Sequence, residues 1–300
     1  VETRHLISIG DFDRDEIDKL LDHARQLDQG KYDKNALYGK ILATLFFEPS
    51  TRTRMSFESA MARLGGTSLS VGSVEACSIA KGETLADTVR VVSGYADAIV
   101  IRHPKEGAAR LAAEFSTVPV INAGDGAGQH PSQTLLDLYT IRQSMPIDKI
   151  DVALIGDLRY GRTAHSLASA LSLYDVRLHT ISPKGLELPA TLAAELSDKG
   201  MEIVEHDDLN GVIGDVDVLY VTRIQRERFP DSASYFNVAS SYRITPELLC
   251  GARNHLIILH PLPRVDEIDP RVDELPYARY FEQSRNGVPV RMAMLMRVMQ

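Results

Sequence analysis

The chain has 300 residues, enough for two domains of ordinary size, each with its own core. Its 33 Lys and Arg stand against 41 Asp and Glu, and the formal net charge of −8 has the wrong sign for a protein that neutralises nucleic-acid phosphates. No stretch reaches the roughly 18 apolar residues a membrane-spanning helix needs, and the opening VETRHLISIGDFDRDEI holds no apolar signal core. A soluble cytoplasmic protein with no nucleic-acid or membrane partner is therefore expected.

Short β-rich runs alternate with helical patterns almost throughout, which predicts an α/β protein with parallel sheets. ILATLFF (41–47), AIVIR (98–102) and PVINA (119–123) read as strands. Between them Phe57, Ala60, Met61 and Leu64 follow i, i+3, i+4, i+7 spacing, and Leu85, Val89 and Val92 repeat a helical stripe. GAARLAAEF adds a helix, and HPSQTLLDLYTIRQSMP reads as a helix that stops at Met145-Pro146. A first domain over 1–145 is expected. The pattern restarts with strands at 151–157, 176–182, 201–206, 218–223 and 255–261, and with helices at about 162–174 and 189–199. A second domain is expected over 146–285. The apolar segment at 286–300 has no following strand and is expected to pack back on the first domain.

The unusual polar residues follow the strands: EPSTRTR after 47, HP after Arg102, GDGAGQHPSQ after 123, LRYGRT after 157, IQRER after 223 and LPR after 261. Open parallel sheets bind ligands outside the carboxyl ends of their strands, so both domains are expected to face one cleft there. Within FFEPSTRTR, a helix starting near Ser50 would point unpaired N–H groups and the positive end of its dipole at an anion. Ser50, Thr51 and Thr53 add hydroxyl donors, and Arg52 a planar fork suited to phosphate oxygens. Simple helix capping by Ser50 or Thr51 is the competing explanation. His130, after a Gly-rich loop read as flexible and before Pro131, could donate to a substrate oxygen. His103, His165 and His260 read as core or loop histidines.

Other motifs fall away. GDLRYGRT has P-loop spacing, but Arg162 stands where the phosphate-binding lysine belongs and Asp157 would face the phosphates. GDGAG lacks dinucleotide-binding spacing. Cys77 and Cys250 suit a reducing compartment, and Cys77 reads as an incidental thiol rather than a nucleophile. No metal-ligand spacing is present, so neither metal nor cofactor is expected.

Taken together, FFEPSTRTR, SIAKGETLADT, IRHP, HPSQTLLDLYTI, GDLRYGRTAHSL, TRIQRER and HPLPRVDEI resemble the catalytic chains of the aspartate carbamoyltransferases, in the family's order over residues 46–268. The S-T-R-T-R and H-P-x-Q boxes are shared with ornithine carbamoyltransferases, whereas HPLPR and TRIQRER are similar to the aspartate enzymes. The resemblance implies transfer of a carbamoyl group from carbamoyl phosphate to L-aspartate, an early step of pyrimidine synthesis. It implies that Ser50, Thr51, Arg52 and Thr53 hold phosphate and that Arg102 bridges phosphate and carbonyl. Thr53, Arg102 and His130 would polarise the carbonyl, and Gln133 would hold the carbamoyl amide. Arg162, Arg223 and Gln225 would receive aspartate, and Leu262 and Pro263 would offer backbone carbonyls. Ser78 and Lys81 would come from the neighbouring subunit of a homotrimer, with Lys81 also touching aspartate. The loop CSIAKGE reads one residue shorter than the two-lysine version of enteric-type members, which leaves Lys81 the sole candidate. The resemblance also raises a zinc-containing regulatory chain as a partner. An ornithine enzyme and a noncatalytic binder of dicarboxylates are the alternatives that an activity assay separates.

Overall fold

A computed structural model of the chain describes residues 5–71, 82–224 and 242–300. It divides into two units, the residues up to Tyr139 together with Arg285–Gln300, and Thr140–Ser284.

The first unit opens with α1 (Arg14–Asp28), whose start is fixed by a capping box between Asp13 and Glu16. Then come β1 (Ile41–Phe46), α2 (Thr51–Arg63), β2 (Thr67–Val71), α3 (Leu85–Ser93), β3 (Ala98–His103), α4 (Ala108–Phe115), β4 (Val120–Asp125) and α5 (Pro131–Ser144). The sheet is parallel, in the order β2-β1-β3-β4. Its inner strands are nearly continuous apolar runs because helices cover both faces of a parallel sheet. Ala43, Leu45, Ile99 and Ile101 pack with Val89 and Ala112 in one core cluster. Each large side chain buried this way contributes about 1.5–3 kcal/mol.

The second unit carries β5 (Ile150–Ile155), α6 (Arg162–Leu171), β6 (Val176–Ile181), α7 (Ala190–Asp198), β7 (Glu202–His206), β8 (Val218–Val221) and β9 (Ile257–Leu259). Its five strands are parallel in the order β7-β6-β5-β8-β9. Ala153, Ile155, Leu219 and Val221 pack with Ile244, Ile258 and Val272 in its core. The last helix, α8, runs Tyr280–Met299, starting six residues before the expected 286.

Strand order in each unit reverses once. In the first sheet the chain moves outward to β2 and then returns past β1 to β3, so the switch lies between β1 and β3. In the second it lies between β5 and β8. Diverging connections leave a crevice at such a point, beyond the strand carboxyl ends. Gly156, which leaves β5, shows how tight the second one is: its φ is +122°, and a Cβ there would sit 2.3 Å from the Thr222 carbonyl oxygen that follows β8.

The 124–129 segment is tied down rather than loose. The Asp125 carboxylate accepts from Gln129 N–H, Asn122 Nδ2 and Gly107 N–H. Gly126, at φ +54°, lies so close to Pro104 that a Cβ would meet its carbonyl oxygen at 2.7 Å. Among the described residues no helix is long and apolar enough to cross a membrane.

Candidate active site

At the first switch point β1 runs into α2. Ser50 is the N-cap residue, extended at φ −158°, yet its side chain makes no capping hydrogen bond. Capping therefore does not explain this hydroxyl. The first turn of α2 has no acidic residue and carries Arg52 instead, with Arg54 just behind. Cations at a helix N-terminus oppose the dipole, and the same chain places Asp15 and Glu16 at the start of α1. A local rule broken at a strand end marks a site built for something else. Arg54 is engaged by Glu58 one turn on, at 3.7 Å. Arg52 is exposed, and partial desolvation lowers its pKa from the ordinary guanidinium value. Thr53, by contrast, is buried.

Across the switch point, Phe46 pairs with Arg102 at the end of β3. The buried Arg102 guanidinium donates through Nη1 to the Ala123 carbonyl at 3.1 Å and through Nη2 to Glu48 Oε1 at 2.5 Å. Glu48 thus lies against Arg102 as an anion would. His130 Nε2 stands 3.5 Å from Arg102 Nη1, and His130 Nδ1 lies 3.4 Å from Ser132 Oγ. Arg102 can only donate, so in this arrangement Nε2 faces it with a lone pair. Gln133, in the first turn of α5, donates through Nε2 to Asp137 Oδ1 at 2.8 Å. The structure therefore groups Arg102 and His130 directly, with Gln133 one helical step further and Ser50–Thr53 at the N-terminus of α2.

In the second unit, Arg162 opens α6 and the exposed Arg223 follows β8, so both stand at the second switch point. Asp157 Oδ1 accepts from Tyr160 N–H, and His165 Nε2 donates to the Leu158 carbonyl at 2.6 Å, which folds 157–162 over the start of α6. Leu262 and Pro263 follow β9. Leu262 adopts φ +54°, and its N–H donates to Nδ1 of the buried His260 at 2.8 Å. That contact fixes the tautomer: His260 Nε2 carries the proton and donates to Glu267 Oε1 at 2.7 Å. Burial pushes the Glu267 carboxyl up, but the hydrogen bond from His260 and backbone N–H donors outweigh it and hold the pKa below its ordinary value. Val265 and Asp266 N–H groups both reach Glu267 Oε2 at 3.0 Å. His103 lies partly buried against Phe47, its Nδ1 accepting from Lys105 N–H at 3.0 Å.

Ser78, Lys81, Gln225 and Cys77 lie outside the described residues. Among those described, no group of side chains has the geometry to hold a metal ion. The motifs did not draw attention to Glu48, Asp137, or the His260–Glu267 pair. Glu48 and Asp137 were nevertheless inside the quoted boxes, the latter at i+4 from Gln133.

Residues 4–143 match the family model for "Aspartate/ornithine carbamoyltransferase, carbamoyl-P binding domain", and residues 148–298 match the model for the "Asp/Orn binding domain" of the same enzymes. The chain belongs to the aspartate/ornithine carbamoyltransferase family. It is 74% identical over 296 residues to the aspartate carbamoyltransferase catalytic subunit of Methanoculleus marisnigri, covering 99% of each chain. Among solved structures, the catalytic subunit of M. jannaschii aspartate transcarbamoylase is similar at 56% identity and a TM-score of 0.93, with 98% of this chain and 97% of that one covered. The Trypanosoma cruzi aspartate transcarbamoylase in complex with carbamoyl phosphate and aspartate is 39% identical with a TM-score of 0.92, over 99% and 96% of the two chains.

Proposed function

We infer that the protein transfers the carbamoyl group of carbamoyl phosphate to the amino group of L-aspartate, releasing N-carbamoyl-L-aspartate and phosphate. The observation that carries this is the 74% identity, over 99% of both chains, to a subunit named for that reaction. The acid-free, arginine-bearing start of α2 gives it a physical basis, since it suits a phosphate dianion.

The residue roles follow from charge and geometry. Two polyanions must meet, and clustered guanidinium groups offset their repulsion. Ser50, Thr51, Arg52 and Thr53 take the phosphate, and Arg102 bridges phosphate and carbonyl. Arg102 must first exchange Glu48 for the ligand. Thr53, Arg102 and His130 polarise the carbonyl oxygen, with His130 taking up the tautomer protonated at Nε2, and donating from it, once Arg102 has moved to the ligand. Fixed donors at a developing oxyanion contribute about 10² to 10³ in rate each. Gln133 holds the carbamoyl amide. Arg162, Arg223 and Gln225 receive aspartate, and the carbonyls of Leu262 and Pro263 receive the remaining N–H groups. None of these side chains serves as a dedicated base; the departing phosphate takes the amine proton. Residues 1–145 are then the carbamoyl-phosphate domain and 146–285 the aspartate domain. The assembly is a homotrimer in which Ser78 and Lys81 complete the neighbour's site, Lys81 on aspartate, with a zinc-containing regulatory chain as a further partner and the cytoplasm as location.

Phosphate release on mixing carbamoyl phosphate with aspartate tests the reading, with ornithine in parallel. Release with ornithine but not aspartate would move the chain to the other branch of the family. Release with neither would leave a noncatalytic anion binder.

A further inference from the structure

Helix α5 buries a carboxylate that the reaction itself does not use. Asp137 is fully buried, one turn beyond Gln133, and accepts from Gln133 Nε2 at 2.8 Å. Arg291 of α8, itself only 3% exposed, is a cation near enough to interact with it electrostatically. Its guanidinium lies 5.0 Å over the Phe57 ring and packs against the glycine one turn earlier, where a Cβ on Gly287 would come within 2.1 Å of its Nη1. Burial lowers the Arg291 pKa to about 10 and Asp137 acts against that fall, so the guanidinium stays charged at neutral pH. A buried cation beside a buried carboxylate favours the ionised form of both.

An ionised carboxylate accepts and cannot donate, so it admits only one orientation of the Gln133 amide. The NH₂ end must face Asp137, and Oε1 must face the other way. We propose that Asp137, backed by Arg291, is a positioning residue that locks Gln133 with its oxygen toward the ligand, so that the site selects a phosphoryl compound bearing an N–H₂ group over its methyl isostere. The inference rests on the proposed role of Gln133. A fixed acceptor is satisfied by the carbamoyl NH₂, whereas the methyl of acetyl phosphate leaves it unpaired. With Asp137→Asn the neighbour can also donate. Gln133 can then turn over and present its own NH₂ to the ligand's.

The test measures dissociation constants for carbamoyl phosphate, acetyl phosphate and inorganic phosphate in the full chain. Asp137→Asn should lower the preference for carbamoyl over acetyl phosphate by about tenfold, the scale of one hydrogen bond, while inorganic phosphate binds as before. In a Gln133→Ala background the same change should leave the preference where Gln133→Ala alone puts it. A folded Asp137→Asn protein with wild-type preference overturns the proposal, and so does an equal further loss without Gln133. Should that variant not fold, Asp137→Asn with Arg291→Gln removes both buried charges, and the same ratio decides. Wild-type protein releasing no phosphate from carbamoyl phosphate and aspartate would defeat the functional reading itself. Turnover in wild type with unchanged selectivity in the variant would defeat this inference alone.

Discussion

Arg52 is a cation at the positive end of a helix dipole, so it costs the fold a little and is retained for what it binds. Arg52→Ala should lower kcat/KM by at least about 10² to 10³, with stability unchanged within about 0.5 kcal/mol. Near-normal turnover in the folded variant would remove the phosphate assignment. Arg223 is exposed and follows β8, so Arg223→Ala should raise the KM for aspartate strongly and leave carbamoyl phosphate titration nearly as in wild type. Lost carbamoyl phosphate binding would mean that the two subsites are interchanged. Glu267 makes a prediction about pH. Its folded pKa lies below its ordinary 4.5, so the carboxylate contributes stability that is complete above that value and is lost as pH falls through the folded value. The stability gap between wild type and Glu267→Gln should therefore be full at neutral pH and close in acid below about 4.5. Denaturant titrations at neutral and acid pH read this directly, and a gap independent of pH would show that Glu267 acts only as a hydrogen-bond acceptor.

At the scale of elements, the second switch point depends on close backbone approach. Gly156→Ala must accommodate both a φ of +122° and a contact of 2.3 Å with the Thr222 carbonyl oxygen, a backbone atom that cannot swing away. The expected cost is about 2–4 kcal/mol, read as a lower Tm together with weaker aspartate binding. A Tm equal to wild type would show that β5 and β8 can part without penalty. The same reasoning separates what was legible in the sequence from what was not. The inner strands could be read because burial on both faces demands apolar runs such as ILATLF and VLYV. β2, TSLSV, was not read: it is an edge strand with little burial, so no hydrophobic pattern marks it. Helix α8 starts earlier than its apolar end suggested because its first turns carry polar residues such as Gln283, which is buried and accepts from His260 N–H. In the site, the basic and hydroxyl residues stood out by type. Glu48 and Asp137 did not, because a carboxylate that restrains an arginine or orients an amide looks in sequence like any solvated acid.

The molecule as a whole raises the question of whether one chain suffices for a site. The proposed trimer gives each site Arg52 from one chain and Lys81 from the next. An Arg52→Ala trimer and a Lys81→Ala trimer should then both be nearly inactive. In a closed ring of three containing both chain types, in either proportion, only one junction joins an intact Arg52 to an intact Lys81. Dissociating the two inactive proteins and reassembling them together should restore activity, up to about one third of wild type per hybrid ring. Mixing without dissociation should restore none. The fraction has diagnostic value because chains that carried complete sites would regain nothing: every chain in every hybrid would still lack one of the two residues. Hybrids separated by a charge tag and found as inactive as their parents would return Lys81 to its own chain's site and leave the ring, if present, without a catalytic role.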